Sequence, residues 1–184
     1  MRLSVTPTQF VALAASNREL QLERSATGEL IVNPPTGWRT GQQHWRIAGE
    51  LYLWWRNCGE PGQAFDSSSG FILPNGAIRS PDASWICQER WDALTEAPLQ
   101  TFPQICPDFV VEFRSASDPL KELQAKMHEY LDNGAALGWL IDPQTRTVAL
   151  YRAGADVDVL VNPLTLSGEP VLPGFHLDLN RVWA

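Results

Sequence analysis

The chain has 184 residues, 44% hydrophobic and 19% charged, which suffices for one domain spanning 1–184 and leaves no apolar run of the roughly 20 residues that a membrane helix needs. Its net charge of −7, with no basic run, opposes long-range attraction to nucleic acid; such a partner requires basic side chains gathered on one face or a cation at an acidic site. Three cysteines without a C-x-x-C pair and three histidines without ligand spacing argue against a disulfide framework and a zinc site, and the N-terminus lacks the apolar core of a secretory signal, so a cytoplasmic protein is expected.

Residues 7 to 17 read as a short helix, and Leu20 to Ala26 with Glu29 to Val32 as a hairpin turning at Thr27-Gly28. Asn33-Pro34-Pro35-Thr36-Gly37 breaks the pattern. A helix over Gly41 to Asn57 follows, with Trp45, Ala48, Leu51, Tyr52 and Trp55 as its core arc; His44 lies inside that arc, where a satisfied core histidine is favoured over a catalytic one. On this reading its tryptophans belong to the core and not to a base-stacking platform. Strands are expected at 63–66, 70–73 and Ile78 to Cys87, then a polar helical stretch at 88–94 and a loop through Pro98 and Pro103. The strand Phe109 to Arg114 precedes a helix with Asp118 as N-cap, Pro119 at its first position and Gly134 as its stop. The rest reads as strands at 138–142, 147–152 and 157–161, and a terminal stretch at 171–179.

Chemistry concentrates in Ser80-Pro81-Asp82-Ala83-Ser84-Trp85 and Pro107-Asp108-Phe109-Val110-Val111-Glu112-Phe113. A carboxylate inside an apolar strand has to be paired, hydrated or metal-bound, because burying it bare costs several kcal/mol or more. Alternation sends Phe109, Val111 and Phe113 one way and Glu112 the other, away from the hydrophobic side. If the two strands are neighbours, Asp82 and Glu112 reach one cation, and a hard ion such as Mg²⁺ accepts two acids, a main-chain carbonyl and water. On the following helix, Lys126 falls about 40° beyond Tyr130, at the border of the apolar face. Each residue also has a structural account: Asp82 as a turn-former, Asp108 as a strand-entry cap, Glu112 paired with Arg114 or Arg79, and Lys126 as a solvated lysine.

These motifs resemble those of the bacterial Uma2 family of restriction-endonuclease relatives, a branch of the PD-(D/E)XK nuclease superfamily. The resemblance rests on Gly28-Glu29-Leu30, Pro34-Pro35-Thr36-Gly37, Arg79-Ser80-Pro81-Asp82, Pro107-Asp108 through Glu112, Ser115 to Asp118, Lys126 with Tyr130, Gly138 through Pro143, and Leu172-Pro173-Gly174-Phe175, in order over about 20–182. It implies an α/β (α+β) restriction-endonuclease-like fold, a central mixed sheet flanked by helices with an N-terminal hairpin extension. Asp82 and Glu112 would be ligands of Mg²⁺ or Mn²⁺, Lys126 the catalytic lysine, and Glu23, ahead of Glu29, the acid of the first hairpin. The superfamily's usual lysine position, two residues after the second acid, holds Arg114, which can bind phosphate but not act as a base. Relatives often carry a histidine where Thr40 stands.

The function implied is metal-dependent hydrolysis of DNA, with a homodimer suited to a two-stranded substrate. The alternatives are a non-catalytic nucleic-acid-binding or assembly module that keeps the fold, favoured by the net charge, and a hydrolase of a small phosphorylated substrate.

Overall fold

A computed structural model describes residues 3–94 and 102–183; the part of the expected loop around Pro98 lies outside them. In chain order the elements are α1 (Pro7–Ser16), β1 (Gln21–Arg24), β2 (Leu30–Asn33), α2 (Trp38–Asn57), β3 (Gln63–Asp66), β4 (Phe71–Ile72), β5 (Ile78–Arg79), β6 (Ala83–Ile86) and α3 (Gln88–Asp92). Then come β7 (Phe109–Phe113), α4 (Leu120–Asp132), β8 (Leu137–Asp142), β9 (Thr147–Arg152), β10 (Asp158–Val161), β11 (Thr165–Ser167), β12 (His176–Asp178) and α5 (Asn180–Trp183).

The central sheet has the order β10-β9-β8-β7-β6-β3 and is mixed: β7 and β8 run parallel, and the other neighbours antiparallel. The parallel step exists because α4 carries the chain back across the sheet between the two strands, the crossover that parallel neighbours require. Both faces are covered. Phe109, Val111 and Phe113 join Ile47, Leu51 and Trp54 of α2 in one core, while Val110 packs with Met127 and Tyr130 of α4 in a second. Glu112 shares the face of Val110, so it does not leave the hydrophobic side; it enters a second buried layer and is 4% exposed. Gly138 on β8 lets α4 approach closely, since a Cβ there would run into the Met127 methyl.

The expected strand over Ile78 to Cys87 is two strands in two sheets. Pro81 supplies no donor for a ladder, and the chain breaks at Ser80-Pro81. Thus β5 joins a four-stranded sheet, β2-β1-β5-β4, and β6 enters the central one. The N-terminal hairpin is therefore built into a second sheet, with Arg24 opposite Ile78. Helix α2 starts at Trp38, before the expected Gly41, and its core arc is Ile47, Leu51 and Trp54, turned from the expected one. Trp45 is 77% exposed and Tyr52 is also exposed, so these two aromatics are not core. Asp118 does not cap α4: its carboxylate accepts from Ser115 N–H at 2.8 Å, and the helix starts after Pro119.

Candidate active site

Strand β6 pairs Ala83 with Val111 and Ser84 with Val110, and Asp82 N–H donates to Val111 C=O at 3.0 Å. Carrying the ladder one step further sets Asp82 opposite Glu112. Asp82 itself stands just before the strand, in the turn that Pro81 creates, and its Oδ2 accepts from Phe113 N–H at 2.7 Å. That bond fixes the carboxylate beside Glu112. Both acids, with Glu23 and Lys126, line one open cleft of about 940 Å³ between the two sheets and α4.

Lys126 Nζ stands 2.8 Å from Glu112 Oε1 and 2.8 Å from Glu23 Oε1. It is 12% exposed, not a solvated surface lysine. Glu112 Oε1 also accepts from the Tyr130 hydroxyl at 2.9 Å. Glu23 accepts from Ser80 N–H at 2.9 Å and from Arg79 at 3.2 Å, and Arg79 in turn donates to Glu129 at 2.6 Å. Charges therefore alternate from Glu129 through Arg79, Glu23 and Lys126 to Glu112. Next to this line, His44 Nδ1 faces Asp82 Oδ1 at 3.5 Å, the imidazole sits edge-on to Phe113, and its buried Nε2 has no hydrogen-bond partner among the described residues.

Desolvation is the largest single influence on each of these groups, but for Glu23 and Lys126 the neighbouring charges together reverse it. Burial pushes Asp82 and Glu112 up to about 7 each, against the opposing pull of Lys126. Burial would raise Glu23 as well, but Lys126 and Arg79 together hold it below the ordinary glutamate value. Burial would lower Lys126, yet Glu112 and Glu23 carry it above its usual value, so it stays charged. Burial keeps His44 below its usual value despite Glu112 and Asp118, so the ring is neutral near pH 7. The Tyr130 phenol is pushed well up by burial and by the same carboxylates, and remains a donor.

No three His, Cys, Asp or Glu side chains among the described residues already form a metal cage. The donor set nonetheless suits a hard cation that keeps much of its water, because Mg²⁺ is commonly held by one or two carboxylates. Asp82 and Glu112 provide these. Among the described residues, Glu23, Glu112 and Glu129 pair with two permanent cations, Arg79 and Lys126, and Asp82 adds a fourth carboxylate within the field of Lys126; a divalent ion would offset the difference.

Three other expectations are placed differently. Arg114 turns away: its guanidinium donates to Asp142 at 2.8 Å and to Asp118 C=O at 3.1 Å, and it pairs with neither Glu112 nor the cleft. Asp108 has a structural post, accepting from Cys87 N–H at 2.8 Å and from Arg90. Glu29 also lines the cleft. His44, for which the reading as a satisfied core histidine is favoured, instead lines the cleft. The signal that could have found it is its spacing, one helical turn beyond Thr40, which lines the same cleft.

A mixed sheet with one acid on β7, a second at the entry to the adjacent β6 and a lysine from the crossover helix matches a restriction-endonuclease-like core. The chain matches the Uma2 family, described as "Putative restriction endonuclease", over residues 7–180, and belongs to that family. It shares its fold with the crystal structure of a putative nuclease from Anabaena variabilis, at a TM-score of 0.72 and 20% identity, covering 88% of this chain and 89% of that one. No curated protein matches. Among the described residues, no helix is long and apolar enough to cross a membrane.

Proposed function

We propose that the protein is a metal-dependent endonuclease that hydrolyses DNA phosphodiester bonds, with Asp82 and Glu112 holding Mg²⁺ or Mn²⁺. The observation that carries this reading is the excess of buried carboxylate over fixed positive charge in one open cleft. A bound divalent ion would supply an acidified water as nucleophile and offset charge on the leaving oxygen. The chain's own groups divide the remaining work. Lys126, locked in the charged form between two glutamates, serves as a fixed positive charge for the phosphoryl oxygens and not as a base. Glu23 orients Lys126, and the Tyr130 hydroxyl orients Glu112.

One observation favours a second reading, a non-catalytic nucleic-acid-binding or assembly module. Arg79 and Lys126 are both already ion-paired, on a chain of net charge −7. Incubating supercoiled and single-stranded DNA with the parent protein, Glu112→Gln and Lys126→Ala, with Mg²⁺ and with Mn²⁺, separates the two. The endonuclease reading expects cleavage by the parent alone, together with calorimetric metal binding that Glu112→Gln loses. Absence of cleavage by the parent with every divalent ion, or equal cleavage by all three proteins, would overturn it.

A further inference from the structure

Helix α2 carries an arc that the fold leaves uncovered. At about 100° per residue, Trp38, Gln42, Trp45, Gly49, Tyr52 and Arg56 fall within about 40° of one line, opposite the core arc of Ile47, Leu51 and Trp54. Trp38 is 74% exposed, Trp45 77% and Tyr52 49%, and a Cβ at Gly49 would meet only open space. Glycine inside a helix costs about 1 kcal/mol relative to alanine, and exposed tryptophans forgo the burial that stabilises them elsewhere. Both peculiarities lie on the same arc.

We infer that this arc is a self-complementary dimer interface, in which α2 packs antiparallel against α2 of a second copy across a two-fold axis level with Ile47. That axis pairs positions whose numbers sum to 94. Trp45 then meets Gly49 of the partner subunit, Gln42 meets Tyr52 of the partner subunit, and Trp38 meets Arg56 of the partner subunit. Each pairing matches large with small, or aromatic with donor or cation. A parallel arrangement would oppose Trp45 to itself and Gly49 to itself, giving a clash and a void. The arc bears no carboxylate; the one acid of α2, Glu50, lies to the side and pairs with Arg181. The three aromatics expose on the order of 500 Å² per copy, so a pair buries roughly 1,000 Å², the scale at which specific interfaces begin.

A nucleic-acid strand fits the arc less well. Thr40 and His44, the α2 residues that line the cleft, lie roughly 120–160° round the helix from the arc, so bases stacked there would run away from the acids. The rival protein surface is the edge strand β10, where Val159 and Val161 are 57% and 70% exposed.

Sedimentation of the parent, Trp45→Glu, Gly49→Leu and Val161→Lys over a range of concentrations tests the inference. All three positions are outward-facing, and leucine is a better helix former than glycine, so the variants fold; circular dichroism checks this. A dimeric parent is expected, with Val161→Lys unchanged and with Trp45→Glu and Gly49→Leu each weakened about 30-fold or more, the scale of a central aromatic anchor. A monomeric parent would overturn the inference, including one whose tryptophan fluorescence is quenched by single-stranded DNA. So would dimerisation of both α2 variants at parent strength, or dissociation by Val161→Lys alone.

Discussion

Replacing Lys126 with methionine keeps its unbranched apolar stem and removes the terminal ammonium, so it tests what that charge contributes. Nζ stands 2.8 Å from one oxygen of Glu23 and 2.8 Å from one of Glu112, in a side chain 12% exposed. Without it Glu23 still has Arg79 and Ser80 N–H, whereas among the described residues Glu112 keeps only the Tyr130 hydroxyl. Breaking a buried pair by removing one partner costs about 3–5 kcal/mol. For a chain of this size, at about 2–4 °C per kcal/mol, that is a fall in Tm of roughly 6–20 °C. The loss should depend on pH. In the parent, Glu112 is held near 7, so at pH 5 it is mostly neutral and has little pairing to lose, while at pH 8 it is ionised and relies on Lys126. Calorimetric melting at the two pH values should therefore show the larger deficit at pH 8, partly recovered by Mg²⁺. A Tm within about 2 °C of the parent at pH 8, or a deficit larger at pH 5, would refute the reasoning.

Two further outcomes follow from the same cluster. Asp82 and Glu112 have ordinary values of 3.8 and 4.5 but titrate at about 7 in the fold; the folded state then holds extra protons between, and their contribution to stability falls as pH rises from about 4 to 7. Glu23, held below its ordinary value of 4.5, has the opposite sign: its stabilisation is complete above that value and is lost as pH falls below it. Mg²⁺ competes with those protons, so its Tm increment should be small at pH 5 and large at pH 8, and equal increments would argue against these two acids as its ligands. Tyr130→Phe removes the 2.9 Å bond to Glu112; it should cost about 1.5–3 kcal/mol at pH 8 and less at pH 5, as read from urea melts, and a loss independent of pH would point to packing instead of this bond.

Most of the central sheet was legible because its strands are short, apolar and bounded by turns, as at Phe109–Phe113 and Thr147–Arg152. The alternation of β7 is real, but alternation tells faces apart without telling which is wet. Here α4 covers the Glu112 face, so the acid is buried and not solvated. Local pattern also joined Ile78 to Cys87 in one strand, since the residues on both sides of Pro81 favour extended backbone; only long-range pairing shows that they serve different sheets. On α2, nine apolar residues crowd the helix, and periodicity alone does not choose which arc faces the core. The acids and the lysine could be named from motifs, whereas their connections could not. Arg79 with Glu129 and Glu23, and His44 with Asp82, join residues far apart in sequence.

The placement of Lys126 on α4 has a physical reason in the end of β7. Two residues after Glu112 the chain has already left the strand, and Arg114 donates to Asp142 at the end of β8 and to the Asp118 carbonyl, which ties down the loop entering α4. A cation committed there is unavailable to the cleft. α4 lies over the Glu112 face, close to the sheet because Gly138 admits Met127, and the residue before Met127 is therefore carried to the rim where Glu112 and Glu23 meet. A lysine at 126 reaches both carboxylates from a rigid helix, and the glutamate of the first hairpin becomes part of the same cluster. The positive charge is thus anchored on two sides, by an acid of the central sheet and by an acid of the second sheet. It follows that Lys126 is held by Glu23 as well as by Glu112, although the two acids lie 89 residues apart in sequence.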